Sequence, residues 1–175
     1  MRLLCVLIAS LLSAPAFAQN RPATSPSAAA QPSAIGDSIA GKWTYRSFIN
    51  TPRLVGDDAN LALALIFGEG VFTFELPTST TLKGNLDMGS GFVLDLEGTV
   101  RPPAPGAPLT VEIVGTGRAN SPTAGWEYDY HGYLAYRWPN GVSQVPALVG
   151  SVIRAKPHNG APAGVTASFI AVKQP

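Results

Sequence analysis

Between Trp126 and Trp138 the chain reads WEYDYHGYLAYRW, and every second residue is large and mostly aromatic. In an extended chain successive side chains point to opposite faces. Trp126, Tyr128, Tyr130, Leu134, Tyr136 and Trp138 therefore share one face, with Gly132 as a gap in the row. Glu127, Asp129, His131, Tyr133, Ala135 and Arg137 share the other. An α-helix would scatter both sets around its axis, so the pattern demands a half-buried β-strand. Two of the three Trp and four of the five Tyr lie in this one stretch. It is the thick part of a core or the wall of a pocket.

The same two-residue rhythm recurs along the chain. Gly41–Ile49 alternates, with Trp43 and Tyr45 on one face. Val71–Leu76, Leu82–Met88, Phe92–Val100, Leu109–Gly117, Val145–Lys156 and Gly164–Lys173 read as further strands. Gly89-Ser90-Gly91 and Pro139-Asn140-Gly141 are turn signals between neighbours. Arg101–Pro108 holds four prolines and must be loop, because proline cannot donate to a sheet ladder. Leu61–Phe67 (LALALIF) is ambiguous. Its Ala and Leu favour helix, and Asp57 or Asp58 would cap one. The glycines and clear alternation after it favour a strand. Short, evenly spaced strands with turns between them predict an all-β fold. The expected form is a single antiparallel up-and-down β-barrel of about eight to nine strands, with a β-sandwich as the alternative.

One register collects Phe72, Phe74 and Leu76, then Leu82, Leu86 and Met88, then Phe92, Leu94 and Leu96, then Leu109, Val111 and Ile113. The opposite register collects Glu75, Lys83, Asp87, Asp95, Glu97 and Glu112. The first set is the predicted core. By continuity the aromatic face of Trp126–Trp138 points inward with Trp43 and Tyr45, and Asp129 and His131 point to solvent. The reverse orientation would expose a larger apolar ribbon than soluble monomers usually tolerate. Buried Tyr hydroxyls and Trp N–H groups need partners. They meet one another, the backbone or water in a solid core, or they line a cavity that takes a ligand.

Met1–Ala18 has the pattern of a secretory signal peptide: Arg2, a short apolar run from Leu3 to Leu12, and Ala16-Phe17-Ala18 as a small-x-small cleavage site. The run is too short to span a bilayer, which needs about 20 residues. Gln19–Ser38 is rich in Ala, Pro and Ser and is expected to be a disordered linker, leaving 39–175 as the barrel domain. Cleavage after Ala18 would remove Cys5, the only cysteine, and Arg2. Lys and Arg would then fall from 12 to 11, against 11 Asp and Glu, for a net charge of zero. That excludes nucleic acid or an anionic membrane as the main partner, since both need a basic surface. The expected location is periplasmic or secreted.

Gly41-Lys42-Trp43 opens the first strand directly after the linker. It resembles the Gly-x-Trp start of lipocalins and their avidin-like relatives, the calycin-type barrels. The resemblance implies that Trp43 closes one end of the barrel and that a basic residue of a late strand, Arg154 or Lys173, packs across it. It also implies binding of a small molecule within the barrel. It names no ligand.

Residues for catalysis are sparse. The two histidines, His131 and His158, belong to different segments, and no three or four ligands show metal-site spacing. No Gly-x-Ser-x-Gly elbow and no phosphate-cradling loop are present. No catalytic residue, metal or cofactor is assigned, and an enzyme is the less favoured class. Arg154 stands out, because it alternates with Leu148, Gly150 and Val152 in an otherwise apolar row. Such a charge packs over an aromatic ring or anchors an anionic ligand. The candidate ligand-binding residues are Trp43, Tyr45, Tyr128, Tyr130, Tyr136, Trp138 and Arg154. The leading reading is a small barrel that binds an apolar or aromatic small molecule. The alternatives are an accessory protein with a solid core and a small-barrel isomerase or cyclase. Homo-oligomerisation through an outer sheet face fits either of the first two.

Overall fold

A computed structural model describes residues 39–51, 55–137 and 140–175. The expected signal peptide, the linker and Trp138 lie outside the described residues. Eight antiparallel strands succeed one another around a closed ring. They are β1 (Gly41–Ile49), β2 (Ile66–Glu75), β3 (Thr81–Asp87), β4 (Val93–Arg101), β5 (Thr110–Gly117), β6 (Glu127–Leu134), β7 (Ala147–Arg154) and β8 (Thr166–Lys173). Each pairs with the next, and β1 pairs with β8 from Trp43↔Lys173 to Ile49↔Ala167. That last pairing makes the sheet an up-and-down barrel rather than a sandwich.

The inward face is the one that the alternation predicts. Trp43, Phe72, Phe74, Leu82, Leu86, Leu94, Leu96 and Val111 are fully buried. Burial of each such side chain contributes about 1.5–3 kcal/mol relative to leaving it in water. Leu76, Met88 and Phe92 lie near strand ends and are only partly buried. The outer face carries the charges in exposed cross-strand pairs, such as Arg46–Glu69 at 2.8 Å and Arg118–Asp95 at 2.6 Å. Exposed pairs of this kind contribute at most about 1 kcal/mol each. A charged outside and an apolar inside are the reverse of a barrel that faces lipid.

Two segments depart from the sequence expectation. Leu61–Phe67 is not one strand. Asp58 Oδ1 accepts from the backbone N–H of Asn60 at 2.9 Å and of Leu61 at 3.2 Å. This caps a short helix, α1 (Ala59–Ala64), and β2 starts after it at Ile66. The capping side chain satisfies orphan donors that a strand would have left to a neighbour. The aromatic strand also stops early, at Leu134. Its last partners on β5 are Tyr133↔Thr110 and the Leu134 N–H to Leu109 carbonyl bond of 2.8 Å. Beyond Leu109 the neighbouring chain is Pro108 and the proline loop, so no ladder extends further.

Gly132 fills its expected role in a different way. It lies opposite Gly150 of β7, and the ring of Phe169 from β8 occupies the gap. A Cβ at Gly132 would come within 2.9 Å of Phe169 Cζ. Phe169, not Trp43, is the large neighbour that requires a glycine there.

Candidate functional site: the open end of the barrel

The strands alternate in direction, so each end of the barrel has its own set of residues. One end holds the start of β1 and the end of β8. Trp43 plugs it. The indole N–H donates to the Ile39 carbonyl at 2.8 Å, Phe74 packs at 6.5 Å, and Lys173 Nζ lies 5.7 Å from the ring centroid. Of the two basic residues expected to cross Trp43, Lys173 does so.

The other end is open. A cavity of about 380 Å³ enters between the start of β2 and the connection from β7 to β8. That is within the usual range for small-molecule sites. Tyr45, Tyr130, Leu86, Leu94 and Val152 form its deep part. Phe67, Phe92, Trp126, Tyr128 and Met88 wall the entrance. The deep aromatics interlock, with Tyr45 and Phe72 at 4.6 Å and Phe72 and Tyr130 edge-on at 5.5 Å. Edge and tilted arrangements suit the ring quadrupoles better than face-to-face stacking.

The rim is built by the segment after β7. Asn159 and Gly160 both have positive φ, at 49° and 75°. They form a two-residue turn in which His158 and Ala161 exchange backbone bonds at 3.1 and 2.9 Å. Asn-Gly is the sequence that accepts this geometry most readily. The turn is anchored to the barrel through the Ala155 N–H to Glu127 carbonyl bond at 2.8 Å and the Lys156–Glu127 ion pair. It thereby sets the His158 ring flat on Trp126, with centroids 4.1 Å apart and planes 17° apart. His158 Nε2 is also 2.7 Å from the Tyr128 hydroxyl.

Arg154 is the last residue of β7 and reaches the same mouth. Its guanidinium carbon lies 5.1 Å from the centre of the Phe67 ring, and Nη1 donates to the Pro162 carbonyl at 3.2 Å. Two buried polar atoms here have no partner among the described residues: Arg154 Nε and His158 Nδ1. An unmet buried donor or acceptor costs about 1–3 kcal/mol. Burial, and then the Arg154 charge, lower the His158 pKa from 6.5. The Tyr45 and Tyr130 phenols are pushed well up, in both cases mainly by burial, so they stay neutral and act as hydrogen-bonding groups only.

The structure divides the predicted site residues. Tyr45, Tyr128 and Tyr130 are 3%, 9% and 2% exposed and line the cavity together with Arg154. Trp43 is buried at the plugged end and does not reach the cavity. Tyr136 is a correction. It is 71% exposed, in the connection from β6 to β7 at the plugged end. The strand that would have turned it inward has already ended at Leu134. Sequence reasoning assigned His158 to a loop and missed its part in the site, although Asn159-Gly160 beside it was a turn signal. Phe67 was missed because a strand over Leu61–Phe67 would end there, whereas β2 has barely begun at that point. Among the described residues no three His, Cys, Asp or Glu side chains group as metal ligands. No family model matches the chain, and no curated protein matches it in sequence.

Proposed function

We propose that this chain is a calycin-type barrel, exported to the periplasm or beyond, that binds an apolar or aromatic small molecule. The observation that supports this most is the aromatic-walled cavity of about 380 Å³, open at one end only. The tyrosines in it stay neutral, and stacking against Phe67, Phe92 and Trp126 would reward a flat or apolar guest. Lys173 across Trp43 and the closed eight-strand meander agree with the calycin resemblance. The test is native mass spectrometry of the protein recovered from its own host's export fractions. A bound small molecule, displaced by Trp126→Ala or Tyr128→Ala, is the expected result. A chain always recovered empty, which also leaves added aromatic compounds unbound, would sink the reading.

One observation favours a second reading, an isomerase or cyclase. Arg154 and His158 share the cavity with the tyrosines, so a base and a cation are available to a bound substrate. A guest recovered chemically altered would decide for the enzyme, and one recovered unchanged for the binder.

A further inference from the structure

We propose that the guest is an organic acid, whose anionic group is met by Arg154 and His158 at the mouth while its apolar body lies against the aromatic walls. This rests on the binding reading above and adds the chemical class of the ligand. Arg154 is the first support. It is a permanent cation at the edge of an apolar cavity, and among the described residues no carboxylate pairs with it. Glu69 also borders the cavity, but its carboxylate is taken by Arg46 on the outer face at 2.8 Å. Phe67 and the Pro162 carbonyl hold the guanidinium in place, yet neither neutralises it, and among the described residues Nε–H has no acceptor.

His158 is the second support. Its Nδ1 is buried without a partner on the same rim. With the Tyr128 phenol donating to Nε2, the ring proton resides on Nδ1. The mouth then presents two N–H donors, from two different segments, that the described residues leave unmet. Donors with no protein acceptor, one of them charged, suit an oxyanion better than a neutral or cationic group. A cationic guest would meet Arg154 with like charge.

The test compares two fluorescent probes with the same body, anilinonaphthalene sulfonate and its uncharged parent N-phenylnaphthylamine. The wild-type protein is expected to bind the sulfonate about tenfold more tightly than the parent, the scale of one charge-assisted hydrogen bond. Arg154→Met should abolish that preference and leave affinity for the parent unchanged, with circular dichroism reporting an intact barrel. Should that variant fail to fold, the wild-type protein still gives an answer. The Arg154 Nε–H resonance, assigned with Arg154→Lys, should shift on adding the sulfonate and stay in place with the parent. Equal binding of both probes, or a preference that survives Arg154→Met, overturns the acid and leaves the binding reading standing. If neither probe binds, the binding reading fails, and the acid with it.

Discussion

The two ends of this barrel are made of the same parts and finish differently. At each end a cation from a late strand lies over an aromatic ring of an early one, Lys173 over Trp43 and Arg154 over Phe67. At the Trp43 end the indole N–H is bonded to Ile39, and the ring is fully buried. At the Arg154 end the rings stand apart around a cavity, and two buried nitrogens have no partner among the described residues. The difference lies in side-chain size and in the connecting segment at each end. A Trp placed centrally fills the bore. At the other end the bore is bordered by separate rings, and a tight Asn159-Gly160 turn holds His158 at the side of the opening. One end serves stability and the other leaves interactions for a guest.

The largest effect should come from the plugged end. Trp43→Ala is expected to destabilise the fold by about 3–5 kcal/mol in urea denaturation, as for other fully buried Trp deletions. Trp126→Ala, which removes a partly buried wall of the mouth, should cost only about 1–2 kcal/mol. Equal losses would mean that the mouth is core too, and the contrast between the ends would break. Lys173→Ala should lose less again, about 0.5–1 kcal/mol, the worth of a cation over a partly solvated ring.

The smallest effect is a pH dependence confined to the open end. His158 has a folded pKa below its unfolded value of 6.5, so the unfolded chain binds the proton more readily. Its contribution to stability is complete above the unfolded pKa. It is lost as pH falls from there toward the lower folded value. Between about pH 7.5 and about pH 5 the wild type should therefore lose more stability than His158→Gln, measured as the shift in denaturant midpoint. Parallel curves would show that His158 is as solvated as the outer His131.

Much of the barrel was legible from alternation, because a half-buried strand writes its orientation into every second residue. Phe72, Phe74, Leu94 and Leu96 lie where that rhythm puts them. It failed where a neighbour rather than the strand itself decides the outcome. Trp126–Trp138 alternates throughout, yet the ladder ends at Leu134 because the partner chain turns into Pro108. Leu61–Ala64 alternates as well, and the Asp58 cap pulls it into a helix. The site was half legible for the same reason. Tyr45, Tyr128, Tyr130 and Arg154 are strand residues, and their faces could be counted. His158 depends on a turn folding back over the barrel mouth to reach Trp126, and no periodicity encodes that.

The pairing of β1 with β8 bears on when this chain can fold. Trp43 and Lys173 are neighbours in space but lie at opposite ends of the domain sequence. A chain still emerging from its ribosome lacks β8, so its sheet has two open edges and the ring stays unclosed. Closing so long a loop is slow compared with forming local hairpins. For an exported protein that delay is useful, because a translocation channel takes unfolded chain. The ring then closes only after the last strand has crossed. Once closed, the sheet has no unpaired edge to template association with other chains.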